Sequence, residues 1–404
     1  MSLDHARSGV VRLGVRRTAD LPRRRGESLA VLATFTVLYT AVGLWLVRDL
    51  HVVEPETLDR WARALAIWHG DDPGLGAVGR DHAPLSVLLL APFTLVSSLA
   101  TSQVAIPVVS ALGAGWVMVV LDTMMRRATL DLPVRLAVLA ALGLNPVVVV
   151  HAATGGHDVL WLALVVTALG GLVAWYVTAD VRFVMVSGFA FAGATLTGYG
   201  SLPFVVVSTV AVAALVRRLG ADRTEVEGTT VGFASPALYV VVLWAGFNAV
   251  ALGRPFGWLV PDRGPAVSFA DAARGTADLV LLGAPVALVV LPALVVVGTV
   301  RRNPLALWLG VLLLTSIVLP GTGAVLGLAD RPPSVADALP VLLLAVVGAI
   351  WLIRSALTDA RLVAGALVTG LLLSVPVTFA AMADAPRPSL ERSFHDAVVD
   401  DVAG

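Results

Sequence analysis

The sequence contains neither cysteine nor lysine, and only 14% of its 404 residues are charged. The absence of cysteine excludes disulfides, thiolate nucleophiles and cysteine-ligated zinc or iron–sulfur sites. The absence of lysine excludes a Walker A phosphate-binding motif and Schiff-base chemistry. All 28 basic residues are therefore arginine, and 28 acidic residues balance them to a formal net charge of zero.

Long apolar runs take up most of the chain. Hydrophobic residues make up 58% of it, and its mean hydropathy is +0.88. These values are typical of a polytopic helical membrane protein rather than a soluble enzyme. The runs predict an all-α protein with about eleven transmembrane helices, over residues 29–47, 104–124, 134–152, 159–177, 183–197, 202–216, 231–251, 279–300, 305–319, 336–353 and 362–381.

The arginines predict the orientation of these helices. With the N-terminus inside, eighteen of the 28 arginines fall on inner segments, and the acidic residues show the opposite bias. Arginine is retained on the cytoplasmic side of membrane proteins. We therefore expect a multi-pass protein of the bacterial plasma membrane, with a disordered cytoplasmic basic tail over 1–27, one transmembrane domain over 28–381, and an outer-face tail over 382–404.

The longest polar interruption, residues 48–103, becomes the first outer loop. Its Glu54–Pro55–Glu56 sequence predicts the start of an interfacial helix that runs to about His69. One predicted face carries Leu58, Trp61, Leu65 and Trp68, and another carries Glu56, Asp59, Arg60 and Arg63. The later run 85–99 is short and contains Pro92, which predicts a re-entrant or juxtamembrane helix that roofs a cavity.

The outer segments hold the candidate functional side chains. A carboxylate such as Glu56 near an apolar interface can act as a general base, and a guanidinium such as Arg60 can bind phosphate. The alternative is that the pair only solvates one helix face, contributing about 0.2–0.5 kcal/mol. Asp158 is either a helix cap or a site residue, and Tyr199 either stacks on a sugar or anchors at the interface. Further candidates for substrate binding are Arg63, Arg80, Asp81, His82 and His157.

Two other ionisable residues are assigned structural roles. His151 is predicted to be a buried, hydrogen-bonded histidine rather than a ligand. Asp122 lies one helical turn before Arg126 near an inner helix end, which predicts a surface ion pair. Neither residue therefore points to a substrate pathway deep inside the membrane.

The order of these motifs resembles the GT-C glycosyltransferases. An acid follows the first span, then come an interfacial helix, a G-x-D-H-x-P-L segment, an L-N-P sequence and a Gly-rich turn with an acid. The closest likeness is to actinobacterial relatives of dolichyl-phosphate-mannose–protein mannosyltransferases, over residues 29 to about 215. The resemblance implies a GT-C-like fold and inverting transfer of a sugar from a polyprenyl-phosphate donor on the outer face.

Carried over to this sequence, the family's first-loop acidic motif falls on Glu54 and Glu56, its phosphate-facing arginine on Arg60, and its second-loop acid on Asp158. The implied partners are the donor, membrane lipids and a glycan or glycolipid acceptor, with no nucleic acid. No cofactor is certain. The ligand types of Glu54, Glu56 and Asp158 suit Mg²⁺ or Mn²⁺, although their spacing is not diagnostic.

Two other classes of function stay open. The family's usual aspartate is a glutamate here, and Thr197–Gly198–Tyr199–Gly200 stands where relatives tend to carry an arginine and an acid. A non-catalytic scaffold for envelope assembly fits these departures. A lipid or polyprenol-sugar transporter is the third class, and the lack of an evident internal repeat weakens it.

Overall fold

The fold is all-α and polytopic. A computed structural model describes residues 25–50, 53, 55–70, 73–79, 83–256, 266–329, 331–355 and 360–384, and these residues contain no β-strand. The helices are α1 (Arg25–Leu44), α2 (Pro55–His69), α3 (Pro84–Leu88), α4 (Ala91–Thr94), α5 (Ser97–Ser102), α6 (Ala105–Arg127), α7 (Leu132–Gly143), α8 (Pro146–Ala153), α9 (His157–Thr178), α10 (Arg182–Thr197), α11 (Leu202–Arg218), α12 (Arg223–Leu252), α13 (Phe269–Asp278), α14 (Ala287–Val300), α15 (Pro304–Val325), α16 (Leu339–Ser355) and α17 (Ala360–Asp384).

Each of the eleven predicted spans falls on one of these helices or on a bent pair. Among the described residues, eight helices are long and apolar enough to cross a membrane, and up to ten spans result if each of two bent pairs is one. The remaining predicted span, α10, is an apolar helix of 16 residues and is shorter than those eight. Helices α9 and α16 are the most buried spans, and they meet where the ring of Tyr176 lies edge-on to that of Trp351 at 5.9 Å.

Two predicted spans are broken rather than continuous. The run 134–152 bends by 69° between α7 and α8, and the run 279–300 belongs to a pair of helical segments that bend by 94°. At the first bend, Pro146 has no backbone N–H to continue α7, and Asn145 caps α8 by accepting a bond from the Val147 N–H at 3.0 Å. Before the second bend, α13 and a π-helical turn precede Pro285. A hydropathy run does not reveal either break, because both halves are apolar.

The segment predicted to be the first outer loop has the predicted helix and a broken apolar run. Helix α2 starts at Pro55 and ends at His69, as predicted. The run 85–99 is divided among α3, α4 and α5, so it does not form one straight spanning helix. The indole of Trp68 joins the two parts, because its Nε1 donates to the Ala91 carbonyl at 2.8 Å.

Residues from the predicted inner segments meet at one end of the bundle, which we call the arginine-rich end. There Arg135 bonds to Asp122 at 2.5 Å and to Glu27, and Arg126 lies 3.3 Å from Asp122. The prediction of a surface pair for Asp122 and Arg126 is wrong, because Asp122 is only 1% exposed. Sequence spacing shows the i,i+4 pair but does not show that α7 brings a third charged residue over it.

Candidate functional site

The opposite end of the bundle, which we call the loop end, is organised around Gly155. Thr57 on α2 donates its hydroxyl to the Gly155 carbonyl at 3.1 Å. Gly155 has a φ of +84°, and a Cβ there would overlap Ile106 and lie 2.8 Å from the Thr57 methyl carbon. Glycine is therefore required both by the backbone conformation and by the close approach of α2.

Arg60 faces into the protein, which corrects its predicted position on the charged outer face. It is 4% exposed, its Nε donates to the Glu56 carbonyl at 2.9 Å, and its Nη2 donates to the Thr57 hydroxyl at 2.9 Å. The reason is that α2 packs along Thr57, Arg60, Trp61 and Ala64, all 4% exposed or less. This i, i+3, i+4, i+7 stripe is not visible as an apolar pattern because it begins with two polar residues.

The remaining charges of α2 lie nearer the surface. Glu56 is exposed, and Arg63 pairs with Asp59 at 3.2 Å with side chains 26% and 51% exposed. The guanidinium of Arg63 lies against Gly79, the last described residue before the polar sequence 80–82. Four predicted site residues, Glu54, Arg80, Asp81 and His82, lie outside the described residues.

The second predicted motif starts α9, just after Gly155. Gly156 occupies the N-cap position, so Asp158 is not the capping residue. It lies instead in the first turn, where the helix dipole favours a carboxylate, and it accepts a bond from Trp161 Nε1 at 2.7 Å. The side chain of His157 lies outside the described part of the structure.

The third predicted motif, at Tyr199, joins the same assembly through tryptophans. A Cβ on Gly198 would lie 2.7 Å from a ring carbon of Trp161, so the turn at Gly198 packs closely against the start of α9. The hydroxyl of Tyr199 accepts a bond from Trp244 Nε1 at 2.7 Å, and the Trp244 ring stacks on Phe247 at 5.1 Å. Arg60, Thr57, Gly155, Asp158, Trp161 and Tyr199 are thus linked along one path.

An apolar cavity of about 290 Å³ borders this assembly. Pro84, Leu85 and Leu88 form one side of it, and Trp244 and Phe247 form another. The start of the run 85–99 therefore lines a cavity, and the prediction that the run roofs it stays a prediction. Sequence reasoning does not find Thr57, Trp161 and Trp244, whose only signals are a hydroxyl at helical spacing from Arg60 and tryptophans near predicted outer turns.

Two structural predictions outside the path can also be assessed. His151 is 6% exposed and its Nε2 lies 2.6 Å from the Ala336 carbonyl, which confirms a buried, hydrogen-bonded histidine. Among the described residues, no group of three or more His, Cys, Asp or Glu side chains could hold a metal ion. A divalent cation stays a prediction, because Glu54 belongs to its proposed ligand set and is not described.

Comparisons with known proteins bear on the fold. No protein-family model matches the chain, and no curated protein matches it. Among solved structures, the chain is similar to ArnT from Cupriavidus metallidurans bound to undecaprenyl phosphate, with 16% identity and a TM-score of 0.53 over 92% of this chain and 77% of that one. At this identity the likeness shows the fold alone, and the chain shares with that structure the fold of an all-α, polytopic membrane protein.

Proposed function

We propose that this protein is a membrane glycosyltransferase that moves a sugar from a polyprenyl-phosphate donor to a cell-envelope acceptor. The observation that carries the proposal is the bonded path from buried Arg60 through Thr57 to Gly155, next to the helix start that bears Asp158. The fold supports it, because the similar ArnT structure is bound to undecaprenyl phosphate. The acceptor is a glycan, a glycolipid or a protein, and the orientation with this end outside follows from the arginine bias.

Arg60 is the proposed phosphate ligand. A guanidinium presents five N–H donors in a plane that matches phosphate, and charge-assisted bonds are stronger where water is excluded. Its bonds to the Glu56 carbonyl and the Thr57 hydroxyl hold that plane in one orientation. A fixed cation of this kind stabilises the negative charge that grows on the phosphate as it leaves.

The proposed base is a carboxylate, with Glu56, Glu54 and Asp158 as the candidates. It takes the proton of the acceptor hydroxyl while the acceptor oxygen bonds to the anomeric carbon and the carbon–oxygen bond to the polyprenyl phosphate breaks. Attack opposite the leaving group inverts the anomeric centre. Arg63, Arg80, Asp81, His82, His157 and Tyr199 are proposed to contact the substrates, and a divalent cation, Mg²⁺ or Mn²⁺, stays a hypothesis.

The apolar cavity beside Trp244 is the proposed site for the first isoprene units of the donor. Its walls are hydrocarbon and aromatic, and it lies between the first outer loop and α12. Pockets with apolar walls and a few fixed polar groups are typical of ligand sites. The resemblance to mannosyltransferases makes mannose the first sugar to test, followed by a pentose.

The test separates the base from the phosphate ligand. We expect Glu56→Gln to abolish sugar transfer by membranes while undecaprenyl phosphate is still retained, since the amide cannot accept a proton. Glu54→Gln and Asp158→Asn identify the base if Glu56→Gln stays active. Arg60→Ala should weaken lipid retention and transfer together. Glu227→Gln, on the exposed start of α12, is the matched control and should change neither.

One observation favours the non-catalytic scaffold as a second candidate. Arg60 already braces α2 through the Glu56 carbonyl and Thr57, which is a structural role in itself. A scaffold predicts that the envelope glycan profile is unchanged in the three carboxylate variants. An unchanged profile in those variants and in a deletion strain would contradict the transferase and support the scaffold.

A further inference from the structure

A second cavity, of about 370 Å³, lies at the arginine-rich end between α1 and α6. Its polar end is lined by Arg25, Ser28 and Arg126, and its apolar part includes Leu32 and Trp116. The two helices touch tightly further along, where a Cβ on Gly115 would lie 3.1 Å from the Leu32 carbonyl. The cavity is therefore a groove that is closed at its apolar end and charged at its other end.

The dimensions of the groove match a lipid chain. Its lining on α6 runs from Trp116 to Arg126, ten residues that rise about 15 Å along the helix. Trp116 is held in place because its Nε1 donates to the Thr167 hydroxyl at 2.9 Å. Leu29, which lines the groove, is 62% exposed, so the groove opens to the outside of the helix bundle rather than into the protein.

The polar end of the groove presents cationic donors. Arg126 uses its Nε toward Asp122 at 3.3 Å and its Nη2 toward Ser28 at 3.2 Å, and no described residue accepts a bond from its Nη1. Arg25 makes no ion pair with any residue that the structure describes. The acids Asp122 and Glu27 both bond to Arg135, which does not line the groove.

We propose that this groove binds an anionic phospholipid, with its phosphate on Arg25 and Arg126 and one acyl chain along Leu32 and Trp116. Charge complementarity selects this occupant over a zwitterionic lipid. The formal charges of four side chains at this end cancel, namely those of Glu27, Asp122, Arg126 and Arg135, so Arg25 leaves a net positive charge. The sequence continues this charge with Arg23 and Arg24. A basic N-terminal segment is for the same reason a poor occupant of the groove.

The experiment places the full chain in nanodiscs of equal phosphatidylglycerol and phosphatidylcholine and measures by native mass spectrometry which lipid is retained in mild detergent. We expect phosphatidylglycerol to be retained preferentially. Arg25→Gln should lower its retention about fivefold, the equivalent of about 1 kcal/mol for one interfacial arginine. Arg182→Gln, an 89% exposed arginine on α10 outside the groove, is the matched control and should have no effect.

A second pair of variants tests the acyl part without changing charge. Val119→Trp fills the groove and should reduce retention at least fivefold, whereas Leu112→Trp, on the same helix but outside the groove and 46% exposed, should not. Equal retention of both lipids would overturn the proposal. Higher retention after deletion of residues 1–20 would assign the groove to the chain's own tail, and preference for added undecaprenyl phosphate would assign it to a donor lipid; either result also overturns it.

Discussion

The two ends of the bundle are joined by different chemistry. At the arginine-rich end, ion pairs connect three helices, because Arg135 on α7 bonds to Asp122 on the preceding helix α6 and to Glu27 on α1. At the loop end, the long-range bonds include neutral donors on backbone carbonyls, such as Thr57 on Gly155 at 3.1 Å and Ser110 on Ala152 at 2.6 Å. The first arrangement holds helices together by charge. The second holds them together by hydrogen bonds to backbone carbonyls that lack a partner where a helix breaks.

The neutral bonds follow from the break between α7 and α8. Helix ends leave carbonyl groups without intrahelical partners, and such groups are costly where water is scarce. The Tyr39 hydroxyl donates to the Gly143 carbonyl at 3.0 Å at the end of α7, and Ser110 does the same for α8. Thr57 does the same for the Gly155 carbonyl in the turn after α8. The bond that positions α2 is therefore one of three hydroxyl bonds that satisfy carbonyl groups in and just after this bent pair.

The largest expected effect distinguishes which end faces outward. The absence of native cysteine allows single cysteines to be labelled without background. We expect a cysteine at Gly76 to react fully with an impermeant maleimide on intact cells and one at Thr129 to react only after permeabilisation. Both positions are exposed in the structure. The reverse pattern would place the arginine-rich end outside and would contradict the proposed orientation.

The next largest effect is expected from removal of an ion pair at the arginine-rich end. Arg135→Ala leaves Asp122, 1% exposed, with fewer cationic partners, and we expect a loss of about 3–5 kcal/mol of unfolding free energy. Denaturation in mixed detergent micelles measures it. The double variant Asp122→Asn with Arg135→Gln should lose less than Arg135→Ala alone, because no unpaired buried charge remains from that pair. An equal or greater loss in the double variant would mean that packing, not charge, dominates.

Much of the helical fold could be predicted from the sequence, because apolar runs and arginine bias are direct consequences of the bilayer. All eleven runs fall on helices or bent pairs, and α2 starts at the predicted proline. The bends were not predicted, since a break such as Asn145–Pro146 changes direction without changing hydropathy. The L-N-P sequence contributes to the family resemblance, but by itself it does not indicate a bend.

For the candidate site, the sequence predicts several of the residues that come together but not the direction in which the Arg60 side chain points. The three predicted outer motifs do converge, because Thr57 bonds to Gly155 just before Asp158, and Trp161 packs against Gly198 just before Tyr199. The predicted direction of the Arg60 side chain is wrong because amphipathic analysis counts arginine as an outward residue. Here its guanidinium bonds to the Glu56 carbonyl and to the hydroxyl of Thr57, on the face of α2 that contacts Gly155. A contact between residues 57 and 155 has no local signal in the sequence.

A smaller effect is expected from the glycine that seats α2. Gly155→Ala must adopt a φ of +84° and overlap Ile106, for which we expect a cost of about 2–3 kcal/mol and displacement of α2. Under the proposed function, a shift of about 1 Å lowers transfer on the order of 100-fold. Gly253→Ala is the control, since its φ is +67° with nothing within 4 Å, and it should cost about 1 kcal/mol. Equal effects of the two variants would show that the contact with Ile106 and Thr57 is unimportant.

The smallest expected effect tests why charged pairs at the arginine-rich end stabilise the protein. It asks whether their contribution to the unfolding free energy depends on burial or only on their position at that end. Arg223 and Glu227 form an i,i+4 pair at 2.7 Å at the start of α12, but their side chains are 92% and 61% exposed. Arginine precedes glutamate, the weaker order for a helix pair, so Glu227→Gln should cost no more than about 0.3 kcal/mol in the denaturation used for Arg135→Ala. In 1 M salt, where the screening length is about 3 Å, even this difference should vanish, whereas the Arg135→Ala loss should persist because water and ions do not reach Asp122. A salt-resistant cost above about 1 kcal/mol for Glu227→Gln would mean that exposed charges also hold this end together.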